Sequence, residues 1–448
     1  MKKILALLAT ALLASSAFAG DYVPTEACLK AREEFNDERF GIFIHWGLYS
    51  MLADGEWVMN VKNINYEEYA KLAGGFYPSK FNADEWAELF REAGAKYVTF
   101  TSRHHDGFSM FKTATSTYNV VDGTPFGRDI VGELAAAFQK NDIKLHFYYS
   151  HLDWYRTDYW PIGREGHGVG RPEGKEGDWD NYLAFMRTQL TELLTQYGPI
   201  GAIWFDGYWD KKPFFSYDEL YDVWDMEREY GLIHELQPSC LVANNHHVKP
   251  YPGEDIQPFE RDVPGENTGG FLAGLEVSKL PLETCQTLNK DWGYKIVGSD
   301  YKTIKTLIVL LARTASKGAN LLLNVGPRPD GTIPDQSADL LRQMGAWLKV
   351  NGESIYCTDA GCIPEQEWGV STQNGSNLYL HILHADKIED GTITLPYETG
   401  KLVSAESLSD GTPVKFTQKK KTGIVIDVPA FDESADDFVL KLSFKASL

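Results

Sequence analysis

Several polar side chains that can exchange protons or bind ligands stand at the ends of apolar, β-rich runs. The run 97–101 ends in a loop that holds His104 and His105, and the run 202–205 ends at Asp206. Other runs end at His45, at Tyr148 and Tyr149, and at Asn244, Asn245, His246 and His247. Such side chains can hold a metal, move a proton or bond a ligand's hydroxyl groups. A single polar residue at a strand end is often structural, but five polar strand ends that meet at one edge of a sheet indicate a functional site.

Asp206 carries the strongest catalytic signal in this set. It follows four apolar residues and precedes Gly207, which lets a ligand approach the backbone closely. A carboxylate in such surroundings is costly unless cationic or hydroxyl partners compensate for its burial. The alternative interpretation is a structural Asp that bonds to neighbouring strands.

Hydrolysis of a glycosidic bond needs a second carboxyl group, which lies about 5–5.5 Å from the first in a retaining enzyme. The acidic segment 251–267 follows the fifth run and supplies four candidates: Glu254, Asp255, Glu260 and Glu266. Most acids in a charged loop are only solvated, so composition does not choose among them.

The paired histidines are weak metal ligands by pattern. Adjacent strand residues point to opposite faces, so His104 and His105 cannot both bind one metal from within a strand. A loop would allow it, but neither His-x-His nor HExxH accompanies them. We therefore predict no metal and no other cofactor.

The elements that position these residues alternate between apolar strands and amphipathic helices. Strands are predicted at 41–45, 97–101, 144–149, 202–206, 241–245 and 320–326, and helices near 82–94, 129–140, 179–197, 302–316 and 335–350. This order predicts parallel strands buried on both faces, in an α/β fold of the (β/α)8-like TIM barrel type over residues 20–355. The sixth and seventh strands are poorly marked. A doubly wound sheet is the alternative, although no G-x-G-x-x-G follows the first strand.

In a parallel barrel the predicted polar residues all lie at the C-terminal rim, where barrel enzymes build their active sites. From about residue 360 the pattern changes to short alternating runs between Gly, Asp and Pro turns. This pattern predicts a small C-terminal antiparallel β-sandwich, residues 356–448, with a structural role.

Composition and the first residues bear on location and partners. With 43% hydrophobic and 24% charged residues the chain is globular, and its net charge of −20 disfavours nucleic acid as a partner. Residues 1–19 have two lysines, an apolar stretch and Ala17-Phe18-Ala19 before Gly20, as a cleaved signal peptide has. No later segment has 18 consecutive apolar residues, so we expect an exported, periplasmic or secreted protein without a membrane span.

The five cysteines are scattered and show no zinc-site spacing. Cys357 and Cys362 are close enough in sequence to bridge locally in an oxidising compartment. The sequence leaves that pairing open.

Seven segments together resemble the family 29 glycoside hydrolases, the α-L-fucosidases. They are RFGIFIHWGLYS, GEWVMN, AKYVTFTSRHHDGFSMF, FYYSHLDW, AIWFDG, WGY and SKGANLLLNVGPRPDGTIP. The resemblance covers about residues 35–356. It implies an exo-acting, retaining α-L-fucosidase that forms a covalent fucosyl-enzyme intermediate without a metal and acts on fucosylated oligosaccharides or glycoconjugates.

The resemblance also implies residue roles. Asp206 matches the family's nucleophile, and Trp292 matches the aromatic residue that packs on the C6 methyl group of fucose. The remaining sugar-binding positions match His45, Glu56, Trp57, His104, His105, Tyr149 and Trp204.

Two departures from the family pattern concern the fifth strand and the acid/base. Some relatives have an Arg near the end of strand five, where this chain has Asn244 to His247, and we expect His246 to take that role. The segment IQPFERDVPG resembles one branch of the family and selects Glu260 as the acid/base. Glu266 is the second candidate and Glu283, in LETC, the third.

Three other functions remain open from the sequence. A barrel without activity could bind fucose as a lectin, although both carboxyl groups are present. A metal hydrolase would lose activity in a chelator. A glycosidase for a related galacto-configured or 6-deoxy sugar would use the same histidines.

Overall fold

The computed structural model describes residues 22–163, 167–271, 274–298, 300–431 and 437–448. The segment 1–19, predicted to be a signal peptide, lies outside these ranges. In the described part of the chain, none of the helices combines the length and apolar character that a bilayer crossing requires.

Eight parallel strands form the first sheet and confirm the predicted barrel. They are β1 (Phe40–Ile44), β2 (Tyr97–Arg103), β3 (Lys144–Ser150), β4 (Ala202–Asp206), β5 (Leu241–Asn244), β6 (Gln257–Glu260), β7 (Leu282–Thr287) and β8 (Ala319–Val325). The sheet order is β5-β4-β3-β2-β1-β8-β7-β6. A parallel bridge between Ala243 and Ile256 joins the two edges, so the barrel is nearly closed.

Helices surround this sheet. They are α1 (Glu26–Glu38), α2 (Val58–Val61), α3 (Tyr66–Ala70), α4 (Ala83–Glu92), α5 (Ile130–Lys140), α6 (Trp179–Gln196), α7 (Tyr217–Val223), α8 (Met226–Leu236), α9 (Ile304–Ser316) and α10 (Asp335–Asn351). The apolar faces of α4, α5, α6, α9 and α10 belong to one core with the outward side chains of the strands. All five correspond to predicted helices.

The inward side chains of the strands fill the barrel in layers. This inner cluster includes Phe43, Tyr97, Tyr148, Trp204 and Leu322, all buried. Barrel interiors are packed cores rather than pores. This packed interior supports the C-terminal end of the barrel, so the next inward side chain of each strand is held in a fixed position above it.

Two strands differ from the sequence prediction. Residues 257–260 and 282–287 are strands β6 and β7, whereas we expected Glu260 in a loop after the fifth strand. Both strands are short and carry polar residues, so neither forms an apolar run. The correction places Glu260 at the carboxyl end of a strand, level with Asp206.

The C-terminal strands form two antiparallel sheets that share one apolar core, which confirms the predicted sandwich. They are β9 (Asp359–Ala360), β10 (Gly369–Asn374), β11 (Asn377–Ile382), β12 (Thr392–Leu395), β13 (Leu402–Ser407), β14 (Phe416–Lys419), β15 (Gly423–Asp427) and β16 (Phe438–Phe444). The boundary between residues 355 and 356 stays a prediction. All five cysteines are free thiols, so the structure does not form the Cys357–Cys362 bridge.

Candidate active site

A cavity opens at the carboxyl ends of the barrel strands. It is lined by Phe43, His45, Glu56, Trp57, His104, His105, Tyr148, Trp204, Asp206, Trp209, Asn245, Glu260, Cys285 and Trp292. Nine of the eleven residues predicted for catalysis or binding are in this set. The other two, Tyr149 and His246, are not.

The prediction that Tyr149 lines the site is wrong, and its neighbour Tyr148 lies there instead. Tyr149 points outward from β3, where its hydroxyl donates to Gln189 Oε1 at 2.8 Å and its ring packs against Arg103. Tyr148 points inward because successive strand residues alternate between faces. Tyr148 pairs with Trp204 in the sheet register, so the side chains of Tyr148, Trp204 and Asp206 lie on the same side of the sheet. This shared side is the signal that selects Tyr148 rather than Tyr149 as the residue in the cavity.

The prediction for His246 is also wrong. Its Nε2 lies 2.9 Å from Glu254 Oε1, and its ring packs against Tyr208 and Tyr251, away from the cavity. Asn245 is the residue after β5 that faces the cavity. Its inward direction follows the alternation of β5, in which Ala243 also points into the barrel.

Three hydrogen-bond donors face the carboxylate of Asp206. The Tyr148 hydroxyl donates to Oδ2 at 2.9 Å, and the Trp209 indole and Asn245 amide donate to Oδ1, each at 3.4 Å. His105 Nε2 lies 3.5 Å from Oδ2. The three donors from Tyr148, Trp209 and Asn245 stabilise the ionised form of this buried carboxylate.

Asn245 also sets the spacing of the two carboxyl groups. Its Nδ2 donates to Glu260 Oε2 at 2.9 Å as well as to Asp206 Oδ1 at 3.4 Å, so these two oxygens lie at most 6.3 Å apart. Retaining glycosidases hold their two carboxyl groups about 5–5.5 Å apart. The geometry is therefore compatible with a carboxyl pair that attacks and protonates one glycosidic bond.

Burial raises the pKa of both carboxyl groups. The pKa of Asp206 rises to about 7 through burial and through the charge of Glu260. Burial also raises the pKa of Glu260, opposed by the Asn245 amide and by Arg261. When Glu260 is protonated its charge no longer acts on Asp206, and the three donors then favour an ionised Asp206 beside a neutral Glu260.

The cavity histidines are neutral. Burial lowers the pKa of His45 and of His105 to about 3, and lowers that of His104 well below its ordinary value. His105 Nδ1 contacts Ser150 Oγ at 2.6 Å, and that hydroxyl itself donates to the Leu152 carbonyl. Nδ1 must therefore be the donor, which leaves the lone pair of Nε2 to accept a hydrogen bond from a ligand's hydroxyl group.

His45 follows the same pattern. Its Nδ1 lies 2.6 Å from Asn324 Oδ1, while the Asn324 amide donates to the Trp292 carbonyl at 2.7 Å. This arrangement fixes the Nδ1–H form of His45. Two neighbouring imidazoles thus present acceptors, which suits a polyhydroxylated ligand.

Aromatic rings close the sides of the cavity. Trp57 and Trp209 stack with centroids 5.7 Å apart, and Trp292 packs against His45 at 5.2 Å. Glu56 is held beside them by the Gly293 N–H, which donates to its Oε2 at 2.8 Å. Trp209 was not predicted, although it lies three residues beyond Asp206.

The two other acid/base candidates lie outside the cavity. Glu266 forms an ion pair with Arg313. Glu283 is buried below the cavity, where it accepts hydrogen bonds from Tyr97 at 2.7 Å and from the Trp204 indole at 2.8 Å. Burial raises the pKa of Glu283 to about 7, and its contact fixes the Trp204 ring.

Within the described ranges one group of three residues could meet around a metal ion. Cys28, His234 and Asp255 bring their ligand atoms within 4.8 Å of one another, away from the cavity. Arg32 contacts the Asp255 carboxylate at 2.6 Å and already compensates its charge.

Known proteins resemble this chain over nearly its whole length. A model of the family described as Alpha-L-fucosidase matches residues 9–353. Plasma alpha-L-fucosidase of Rattus norvegicus is 33% identical over 95% of this chain and 93% of its own sequence. Tissue alpha-L-fucosidase of Homo sapiens is 29% identical, over 90% of this chain and 86% of its own sequence.

Solved structures give the same result. Alpha-L-fucosidase isoenzyme 1 from Paenibacillus thiaminolyticus matches with a TM-score of 0.80 and 35% identity, over 94% of this chain and 100% of that one. A GH29 alpha-L-fucosidase from Bacteroides thetaiotaomicron matches with a TM-score of 0.79 and 25% identity, over 95% of this chain and 98% of that one. The latter structure is a trapped covalent intermediate formed with 2-fluoro-fucosyl fluoride.

Proposed function

This chain belongs to the α-L-fucosidase family, glycoside hydrolase family 29, and is a retaining α-L-fucosidase; we propose that Asp206 is its nucleophile and Glu260 its acid/base. The observation that supports the proposal is the contact of Asn245 with both carboxyl groups, which keeps one oxygen of each within 6.3 Å of the other, a separation compatible with a double displacement.

In the proposed first step, ionised Asp206 attacks the anomeric carbon of fucose through an oxocarbenium-like transition state. Glu260 gives its proton to the leaving oxygen, so the glycosidic bond breaks as the bond to Asp206 forms. The donors from Tyr148, Trp209 and Asn245 hold Asp206 in position for this attack. In the second step Glu260 takes a proton from water, which attacks the same carbon and releases fucose with retained configuration.

The proposed fucose site uses the remaining residues of the cavity. Acceptor nitrogens of His45 and His105 bond the sugar's hydroxyl groups, with His104, Glu56, Trp57 and Trp204 around them. Trp292 packs on the C6 methyl group, which needs an apolar partner because fucose lacks the 6-hydroxyl. The proposed substrate is therefore terminal L-fucose on an oligosaccharide or glycoconjugate.

We also propose that the protein is exported. The two lysines, the apolar stretch and Ala17-Phe18-Ala19 in residues 1–19 support a cleaved signal peptide. N-terminal sequencing of the protein recovered from the periplasm or the medium would begin near Gly20.

Azide rescue tests the roles of the two carboxyl groups. Asp206→Gly and Glu260→Gln should each lower turnover of a fucosyl disaccharide by about 10²–10⁴-fold. Azide can replace the missing carboxylate in Asp206→Gly and should give the β-fucosyl azide. In Glu260→Gln, given α-L-fucosyl fluoride, whose leaving group departs without a proton, azide attacks the covalent intermediate and should give the α-fucosyl azide.

Glu266→Gln is the matched control, since Glu266 pairs with Arg313 outside the cavity. It should keep wild-type turnover. Undiminished turnover by a folded Asp206→Gly variant, or the same azide anomer from both variants, would contradict the assignment.

A further inference from the structure

A stacked pair of rings, His247 and Phe271, begins at the proposed acid/base Glu260. His247 Nε2 lies 3.6 Å from Glu260 Oε2, and the His247 ring stacks on Phe271 with centroids 5.4 Å apart and planes inclined by 24°. His247 is largely buried, whereas Phe271 is 49% exposed. The pair therefore runs from Glu260 through His247 to an apolar ring that faces solvent.

The chain around Phe271 holds the ring in place. Buried Asp262, two residues beyond Glu260, accepts hydrogen bonds from the backbone N–H groups of Thr268 at 2.7 Å and Gly269 at 2.9 Å. These bonds tie the segment just before Phe271 to the end of β6. The position of the ring is thus linked to the strand that carries the acid/base.

The backbone is also strained at two residues near Glu260: His247, which contacts it, and Arg261, which follows it. His247 and Arg261 have φ values of +58° and +62°, a region that side chains other than Gly rarely occupy. Strain of this kind clusters at functional sites. Here it directs the His247 ring towards Glu260 and the Arg261 guanidinium over the Trp292 ring.

The chemistry of the proposed reaction identifies what occupies the space beside this pair. Glu260 must touch the oxygen that joins fucose to the leaving group, so the leaving group lies on the far side of that oxygen from fucose. A pyranose ring presents C–H groups on one face, and aromatic rings are large, rigid and apolar partners for such a face. A single exposed aromatic residue is common on protein surfaces, but a ring held in place next to the residue that contacts the proton donor indicates a binding surface.

Resting on the proposed function, we infer that Phe271 is the binding surface for the sugar ring that leaves. The ligand is a pyranose joined to fucose through the oxygen that Glu260 protonates. His247 supports the Phe271 ring from behind and does not itself contact the leaving sugar. The enzyme is accordingly directed at fucose attached to another sugar rather than at fucosides with small leaving groups.

The ratio of two kcat/KM values tests this inference. One substrate is a fucosyl disaccharide, and the other is α-L-fucosyl fluoride, whose leaving group has no ring. Phe271→Ala should lower the ratio of disaccharide to fluoride by about three- to tenfold, the size of an aromatic stacking contact. Phe271→Tyr retains the ring and should keep the ratio within about twofold of the wild-type value.

Tyr397→Ala is the matched control, because Tyr397 is an exposed ring between β12 and β13, with 40% exposure. Its ratio should equal the wild-type ratio. An unchanged ratio in Phe271→Ala would overturn the inference, and so would an equal loss on both substrates, which would assign Phe271 a role in holding the fucose site. A lower ratio accompanied by a shifted basic limb of the disaccharide pH–rate profile would assign Phe271 a role in supporting Glu260 and would also overturn the inference. If the wild-type protein turned over neither substrate, the proposed function itself would fail.

Discussion

The charge on Asp206 depends on the few side chains that face it. Burial and Glu260 raise its pKa to about 7, and the Tyr148 hydroxyl opposes this rise by donating to Oδ2. The proposed nucleophile must be ionised, so we expect protonation of Asp206 to set the acidic limb of the pH–rate profile. Any change that removes a donor raises the pKa of Asp206 and moves that limb to higher pH.

Tyr148→Phe and Tyr149→Phe are a matched pair of variants that test the effect of the Tyr148 hydroxyl on Asp206. Tyr148→Phe should lower kcat by about ten- to a hundredfold, the value of a hydrogen bond to a charged group. It should also shift the acidic limb of kcat/KM to higher pH. Tyr149→Phe loses only the bond to Gln189, so it should cost about 1 kcal/mol of unfolding free energy and leave kcat and the pH profile in place.

Both variants are measured by pH–rate profiles of an aryl fucoside and by thermal unfolding. The opposite assignment, with the pH shift in Tyr149→Phe and none in Tyr148→Phe, would contradict the placement of β3. So would a shift of the acidic limb to lower pH in Tyr148→Phe.

At the scale of elements, the turns after β3 and β4 pack against each other and align two parts of the site. Gly207 has a φ of +86°, and a Cβ there would lie 2.6 Å from the Leu152 Cβ. The Leu152 carbonyl accepts the Ser150 hydroxyl, which in turn contacts His105. The close approach at Gly207 thus connects the position of Asp206 with that of His105.

Gly207→Ala tests this packing. The left-handed backbone conformation costs about 1–2 kcal/mol for a residue with a Cβ, and the contact with Leu152 adds to that cost. We expect a lower melting temperature and a lower kcat, because Asp206 and His105 both move. Gly231→Ala is the control: Gly231 lies in α8 with open space around it, so the substitution should stabilise the protein by about 0.5–1 kcal/mol with kcat unchanged. Equal changes in melting temperature and kcat in the two variants would contradict this role of Gly207.

The sequence predicts elements well where burial is uniform and poorly where it is mixed. Strands β1 to β5 and β8 are apolar runs between helices, and periodicity is enough to find them. Strands β6 and β7 carry Gln257, Glu260 and Glu283, so their pattern resembles a loop. Only the pairing of β7 with β8 and of β6 with β7 makes them strands.

Site residues divide in the same way. A polar residue that ends an apolar strand, such as His45 or Asp206, is placed by strand direction alone. Tyr149 and His246 were misplaced because the choice between adjacent residues depends on which face of the strand points inward. Trp209 lies past the end of β4, where the turn conformation directs the side chain and periodicity no longer applies. Asn245 continues the alternation of β5 but stands among four consecutive polar residues, so the sequence does not single it out.

In the molecule as a whole, the barrel is the rigid support, and the residues at the carboxyl ends of its strands form the proposed active site. A packed interior of large side chains, including Tyr148 and Trp204, lies directly beneath the proposed reacting groups. Glu283 in that interior fixes the Trp204 indole by a hydrogen bond of 2.8 Å. The carboxyl pair therefore rests on a close-packed support, which keeps reacting groups within the small tolerance that catalysis requires.

We propose that Asp206, in the intact protein, forms the covalent bond to fucose. Incubation with 2-deoxy-2-fluoro-α-L-fucosyl fluoride, followed by proteolysis and peptide mass spectrometry, measures this directly, since the fluorine slows release of the covalent intermediate. We predict that the fluorofucosyl group is found on Asp206 and that labelling parallels the loss of activity. A label on another carboxyl group, or full loss of activity with Asp206 unlabelled, would contradict the claim.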